Sequence, residues 1–121
     1  MSSLESVGWE LESAEQRHAL APDSFHIPGR EERESLQAGR RVQLLFLMEV
    51  SDSDVKDIMC EKMWVTIETV TATCYRGVLD SMPVSSDALS PGDLVEFGPE
   101  HISCVLIPKT DPRHPEYDPK P

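Results

Sequence analysis

Asparagine is missing from this sequence, and cysteine is scarce. Without asparagine the chain has no N-glycosylation acceptor. The three cysteines, Cys60, Cys74 and Cys104, form an odd set without a Cys-x-x-Cys spacing. This set suits a reducing compartment better than a disulfide framework. We therefore expect reduced, mostly buried thiols and a cytoplasmic protein.

Long apolar runs are also missing. The longest, Leu44 to Met48, has five residues, whereas a membrane-spanning helix takes about 20. The first 30 residues have no uninterrupted apolar stretch, and four glutamates lie where a signal peptide needs basic and then apolar residues: Glu5, Glu10, Glu12 and Glu15. We expect a soluble protein that is not exported by that route.

Basic residues are outnumbered two to one, with 11 against 22 acidic residues and a formal net charge of −11. The segment from Val42 to Pro108 contains three basic and eleven acidic residues, so the acidity belongs to the folded body. Such a charge repels phosphate backbones and anionic lipids. We therefore expect neither nucleic acid nor a membrane as a partner.

Catalytic and metal-binding motifs are not recognisable. The four histidines are scattered, and the odd spacing of His101 and Cys104 on a predicted strand sends their side chains to opposite faces. This argues against joint metal ligation and against a cysteine nucleophile with its base. The run Asp52-x-Asp54-x-x-Asp57 lacks the glycine and terminal glutamate of a calcium loop. We expect no catalytic residues, no metal and no cofactor.

The middle of the chain has the patterns of β-strands and turns. The residues from Val42 to Val50 are apolar enough for a strand buried on much of both faces, and Met63 to Val70 alternates. Three further strands are predicted at Thr73–Asp80, Leu94–Phe97 and His101–Ile107. The first follows a tight turn at Thr71-Ala72, and the second follows a type II turn at Ser90–Asp93. The polar run from Ser51 to Asp57 is expected to be a loop. This predicts an α+β fold: a small, strongly bent antiparallel sheet or partly open SH3-like barrel of about five strands, with N-terminal helical decoration.

The two ends differ from this middle. The apolar spacing of Leu4, Val7, Leu11 and Ala14 fits either a short helix or a frayed N-terminus. A second helix is predicted over Gly29–Gln37, with Gly39 as its left-handed cap. Four prolines after Lys109 favour an extended or mobile tail. We divide the chain into an N-terminal extension (1–24), one β-rich domain (25–108) and a proline-rich tail (109–121).

Trp64 is the strongest candidate for a binding anchor. It shares the polar side of its predicted strand with Thr66 and Glu68, and an aromatic beside acids is a frequent anchor at interfaces. The alternative is that the N-terminal helix covers it, and Trp9 has the same ambiguity. Partner-binding candidates are therefore Trp64, Glu68 and the three acids of the predicted loop, Asp52, Asp54 and Asp57.

Three separate segments also resemble a known family. They are Cys60–Ile67, Tyr75–Asp80 and Leu89–Ile102, and Phe25–Arg33 matches a segment before the sheet in some relatives. Together they resemble the small, mostly bacterial proteins of domain of unknown function 2314. Relatives often continue with Asn-x-Pro where this chain has Ser81-Met82-Pro83, so no role of that asparagine carries over. The resemblance implies the fold, and the occurrence of some relatives near toxin and secretion systems implies an immunity role by association.

These observations favour a non-enzymatic interaction module, and more specifically an immunity-type inhibitor that covers a basic toxin. The acidic loop would steer the partner and Trp64 would anchor it. A second hypothesis is a small-molecule-binding protein or minor enzyme with a pocket between the N-terminal helix and the sheet, lined by Trp64, Tyr75, Cys104 and His101. A third is a structural subunit that pairs through an exposed strand edge.

Overall fold

The described part of the chain forms one curled antiparallel sheet with two short helices. The computed structural model describes residues 8–52, 55–83, 88–107 and 113, and for residues 51, 52, 55 and 56 the backbone alone. The elements are β1 (Trp9–Leu11), α1 (Ala14–Leu20), α2 (Arg30–Glu34), β2 (Arg41–Asp52), β3 (Val55–Val70), β4 (Tyr75–Leu79), β5 (Leu94–Phe97), a 3-10 turn (Pro99–His101) and β6 (Ile102–Val105).

The strand β2 is the centre of the sheet. Its even-numbered apolar residues lie on the inner face and are fully buried: Val42, Leu44, Phe46 and Met48. Leu45 lies on the outer face and is also fully buried. Its cross-strand partner Lys62 lies against Phe25, in the segment that follows α1, with Nζ 5.6 Å from the ring centroid. The prediction of a strand buried on both faces is therefore confirmed here.

The β3–β4 hairpin follows the predicted alternation. Met63, Val65 and Ile67 are buried on the inner face, and the hairpin turns at residues 71–74, where the Thr71 N–H donates to the Cys74 carbonyl at 2.9 Å. The register shifts between Ile67 and Thr69. One extra residue in β3 therefore bends the sheet here.

The strand β5 starts from the predicted type II turn. Gly92 has a φ of 96°, the left-handed conformation that this turn requires at its third position, and the Asp93 N–H donates to the Ser90 carbonyl at 3.0 Å. The chain then passes through the 3-10 turn into β6, which pairs with β2. His101 lies in that turn, one residue before the strand.

The resulting strand order is β6-β2-β3-β4-β5, with β1 paired to the same edge of β2 as β6 but further along it. A sheet that returns through a short turn to its own first long strand is an SH3-like half-barrel. The core lies inside this curl and includes Trp9, Tyr75 and Phe97. The prediction of a small α+β fold with a strongly bent antiparallel sheet is confirmed.

The N-terminal region differs from the helical alternative. Leu11 belongs to β1, whose Trp9 is 7% exposed and packs against Phe46 with ring centroids 5.6 Å apart. The helix α1 starts only at Ala14, where the Ser13 hydroxyl caps it by accepting from the Gln16 N–H. Of the apolar positions in the predicted stripe, Leu11 therefore lies in a strand and Ala14 begins a helix, so these two do not belong to one helical face.

The helix predicted over Gly29–Gln37 is one turn shorter at its C-terminal end. It ends at Glu34, so Gly39 is not its cap, although Gly39 has a positive φ of 94°. It lies instead in the turn before β2, where the Arg40 N–H donates to the Gln37 carbonyl. Leu4, Val7 and the tail except Arg113 lie outside the described residues.

Candidate functional site

In the run from Ser51 to Asp57, which was expected to be a loop, the described residues 51, 52 and 55–57 belong to strands. The register of β2 and β3 continues without interruption to the pair Asp52↔Val55. The residues 49–52 and 55–58 therefore form a two-stranded ribbon, which we call the arm. No third strand of the described residues reaches the paired positions 50–52 or 55–57. Both faces of such a ribbon meet water, so its polar residues are compatible with strand pairing.

The arm places one predicted binding residue clearly on the surface. The Asp57 side chain is exposed, and its Oδ1 accepts from the Ile58 N–H at 2.8 Å. Asp52 is the last residue of β2, and Asp54 lies outside the described residues.

Two apolar side chains flank the arm on opposite faces. Ile58 is 53% exposed on the outer face and Met59 is 47% exposed on the inner face. An exposed carboxylate and two exposed apolar side chains therefore lie next to one another in sequence where the arm joins the rest of the sheet.

Trp64 is half-buried on the outer face of β3. Its neighbours in the cross-strand row are Gln43 on β2 and, beyond it, Cys104 on β6. Its backbone N–H donates to the Ser81 hydroxyl at 2.9 Å. The structure therefore keeps part of the indole accessible, whereas Trp9 is buried in the core.

The structure does not gather the five predicted partner-binding residues into one cluster. Glu68 is exposed at the bulge of β3, eleven residues after Asp57. At about 3.3 Å per residue this is up to about 35 Å along the strand. Trp64 lies between the two. The acids of the arm and Glu68 can belong to one extended surface, but they cannot bind the same small group.

A cleft of about 440 Å³ lies between the two helices and the β3–β4 turn. Its lining includes three carboxylates, Glu15, Glu34 and Glu100, together with Arg30 and Tyr75. The Arg30 Nε donates to Glu34 Oε1 at 2.9 Å. The cleft is therefore polar, and its charges are partly neutralised within the protein.

The four residues expected to line a pocket lie in different places. Tyr75 lines the cleft, and His101 is buried directly after Glu100, which also lines the cleft. Cys104 lines a smaller groove of about 240 Å³, and Trp64 lies on the outer face of the sheet. The expectation of one pocket built from these four residues is wrong because they belong to opposite faces of the curled sheet.

Arg33, which the sequence did not mark as important, connects the two helices and the 3-10 turn beside the cleft. Its side chain is only 5% exposed. Its Nη1 donates to Glu15 Oε2 at 2.7 Å and to the Pro99 carbonyl at 2.9 Å, and its Nε donates to the Pro28 carbonyl at 2.9 Å. Arg33 thus ties α1, α2 and the 3-10 turn together. A charged run such as Arg30–Glu34 normally indicates a solvated face, and no local signal marks its fourth residue, Arg33, as buried.

Tyr75 joins this arrangement to the sheet. Its hydroxyl donates to the Arg33 carbonyl at 2.7 Å and accepts from the Leu36 N–H at 3.3 Å. A buried tyrosine hydroxyl needs such partners, so α2 and the start of β4 are held in a defined position.

His101 is buried in the 3-10 turn. Its Nδ1 accepts from the Gly98 N–H at 3.0 Å. Burial lowers the pKa of His101 below its usual value, while the nearby Glu100 and Glu15 carboxylates oppose this effect. The imidazole is therefore neutral at pH 7 and acts as a cap for the 3-10 turn.

All three cysteines are unpaired, but they are not mostly buried as expected: Cys60 is exposed, and Cys74 and Cys104 are half-buried. Partial desolvation raises the pKa of the Cys60 thiol, and Glu12 adds to this rise, while a contact with Arg17 at 3.7 Å opposes it. Cys60 is therefore a weakly reactive thiol at neutral pH.

No group of three or more histidine, cysteine or acidic side chains within the described ranges has the geometry of a metal site. The helices seen there, of seven and five residues, are also too short to span a membrane. Comparisons of the chain with protein-family models, with curated proteins and with solved structures find no match.

Proposed function

We propose that this protein is a non-enzymatic interaction module that binds a basic protein. The observation that carries the proposal is the arm and the residue that follows it in β3: the exposed Asp57 adjoins the exposed apolar side chains of Ile58 and Met59. The stretch Glu49–Lys62 contains five acidic and two basic residues. An acidic surface accelerates the approach of a cationic partner, and apolar groups at its centre supply affinity after contact.

Trp64 extends this surface along the outer face of β3. Half-buried tryptophans present a large rigid area with little loss of side-chain entropy on binding, which is why they are frequent at the centre of interfaces. In this proposal the arm steers the partner and Trp64 anchors it, while Glu68 extends the acidic rim.

The more specific form of the proposal is an immunity-type inhibitor of a basic toxin in a bacterial cytoplasm. It is supported by the acidic body and by the resemblance of the segments Cys60–Ile67, Tyr75–Asp80 and Leu89–Ile102 to domain of unknown function 2314. Membership of that family is part of the proposal. Neither nucleic acid nor a membrane is a partner in it, since both are anionic.

The first test is capture of a partner by the full-length protein from its own organism at low and high salt, followed by purification of that partner. Association rates are then measured for D52N/D57N and for a control of equal charge, D23N/E31Q, in which the two neutralised acids lie outside the arm. We expect the arm variant to associate at least about threefold more slowly at low salt and to lose part of its salt dependence, with a smaller effect in the control.

Two results would contradict the proposal. One is that all captured proteins are acidic or neutral. The other is that the arm variant and its control associate at the same rate and with the same dependence on salt.

The cleft supports a second candidate function, binding of a small polar molecule. It lies where α1 approaches the sheet, and three carboxylates line it. A thermal-shift screen of metals and metabolites tests it, because a ligand at 100 times its dissociation constant stabilises the folded state by about 2.7 kcal/mol. E34Q is the matched variant, and a true cleft ligand loses its thermal shift in it.

A further inference from the structure

Within the part of the chain that the structure describes, one edge of β3 is unpaired over the N-terminal half of the strand. The backbone N–H of Trp64 donates to Ser81 and its carbonyl accepts from the Asp80 N–H, both at 2.9 Å and both on the β4 side of the strand. The backbone groups of Ile67 point to the opposite side, where they bond to residues 39 and 40 before β2. Alternate residues of β3 therefore present their backbone groups to opposite edges.

This alternation extends into the arm because the β2–β3 register has no irregularity. The backbone groups of Lys62, Cys60 and Ile58 consequently lie on the same edge as those of Trp64. The strand β4 pairs with β3 only from Val65 onward, and no other strand in the described ranges pairs with this side of β3. We call the stretch from Ile58 to Lys62 the open edge.

The hydrogen bond at Ile58 supports this orientation. Its N–H donates to the carboxylate of the adjacent Asp57 rather than to a strand. A carboxylate thus occupies the position that the carbonyl of an added strand would take, and an added strand would displace it. Exposed sheet edges of this kind pair readily with extended peptides.

The side chains along the open edge define the sequence of a fitting strand. Asp57, which directly precedes the open edge, shares one face with Met59 and Glu61, and Ile58, Cys60 and Lys62 share the other. Directly opposed residues on neighbouring strands interact, and opposite charges or two apolar groups are favourable there. A complementary segment therefore has a basic residue at each end and three apolar residues between them.

We propose that the open edge binds an extended basic–apolar–basic segment of a protein partner by β-strand addition, with lysine or arginine opposite Asp57 and Glu61 and an apolar side chain opposite Met59. This inference rests on the proposed function and names its binding mode. The acid–apolar–acid pattern is symmetric, so the same ligand pattern fits in either strand direction.

A second copy of the chain is a poor occupant of this edge. Antiparallel self-pairing centred on Met59 places Asp57 opposite Glu61 twice, and like charges directly opposite each other are destabilising. Each copy also has a formal charge of −11. Charge therefore selects a basic strand and disfavours edge-to-edge dimers.

The test uses the full-length, 15N-labelled protein and a capped peptide with Arg-Val-Ile-Val-Arg at its centre. One control peptide has glutamate in place of both arginines, and another has an N-methyl group on a main-chain nitrogen that must donate to the edge. We expect the first peptide to shift the amide signals of Ile58, Cys60 and Lys62 and to slow their hydrogen exchange. Both controls should bind at least about tenfold more weakly, the loss expected from about 1.4 kcal/mol.

C60P supplies a test on the side of the protein. Proline removes a donor from the open edge, while the bonds of β3 to β2 are made by the alternate residues. We expect C60P to lose peptide binding and C60A to keep it. Should C60P not fold, the N-methylated peptide still separates β-strand addition from other modes.

The outcomes distinguish this inference from the function on which it rests. If the peptide does not bind at about 1 mM, binds equally well when N-methylated, or shifts signals only around the cleft, β-strand addition is wrong, and capture of a basic partner can still support the proposed function. Concentration-dependent dimers with protected open-edge amides would overturn the choice of occupant. Failure of the proposed function requires instead that no basic partner binds through the arm.

Discussion

Replacing Arg33 by methionine provides the sharpest test of how the helices are held on the sheet. Methionine keeps most of the apolar stem but removes hydrogen bonds to two backbone carbonyls and the ion pair to Glu15, whose distances are 2.7–2.9 Å. Hydrogen bonds from a charged donor contribute about 1.5–3 kcal/mol each.

Part of this contribution is offset, because the folded state no longer has to desolvate a guanidinium group. Glu15 remains nearly half exposed, so its loss of a partner leaves no fully buried charge. We expect R33M to lower the free energy of unfolding by about 3 kcal/mol.

The measurement is urea and thermal unfolding of R33M beside R30M. Arg30 has an 81% exposed side chain and one ion pair, to Glu34, so its loss should cost less than about 1 kcal/mol. In a chain of this size 3 kcal/mol corresponds to a decrease in Tm of roughly 10 °C. The reasoning is refuted if the two variants lose the same stability.

Three further predictions concern other sites. Because burial lowers the pKa of His101, the unfolded chain binds a proton at this residue more readily than the folded chain does. The free energy of unfolding should therefore fall as the pH decreases through about 6.5. In H101N, whose side-chain oxygen can still accept from the Gly98 N–H, urea titrations between pH 5 and 8 should show a weaker dependence of that free energy on pH. A Cβ at Gly77 would lie 2.5 Å from Val65 Cγ1, whereas Gly29 has open space, so G77A should lose about 2 kcal/mol and G29A much less in the same unfolding assay. The raised pKa of Cys60 should make its alkylation at pH 7.5, followed by mass spectrometry, slower than that of an unstructured cysteine peptide; equal rates would contradict the assigned environment.

The parts of the fold that the sequence predicts are those with a local signal. The alternation of Met63, Val65 and Ile67 indicates one buried face of a strand without knowledge of the partner strand. The turn at Ser90–Asp93 follows from the placement of its proline and Gly92. Both signals depend on neighbouring residues alone.

The arm and β1 had no such signal. A two-stranded ribbon in water has no buried face, so the residues from Ser51 to Asp57 show no alternation and resemble a loop. The strand β1 has only three residues, too few for a period to be recognised. Both segments are strands because they pair with β2, the central strand of the sheet.

The acidic charge, the curled sheet and the absence of familiar catalytic motifs are readable from the residues in order. Long-range pairing decides which charged side chain becomes buried and which strand edge stays unpaired. Arg33 donates to the Pro99 carbonyl 66 positions away, and among the described residues no strand pairs with the β4 side of β3 before Val65. Neither contact is marked by a pattern of neighbouring residues. The burial of this arginine and the position of the open edge are therefore determined only by the tertiary structure.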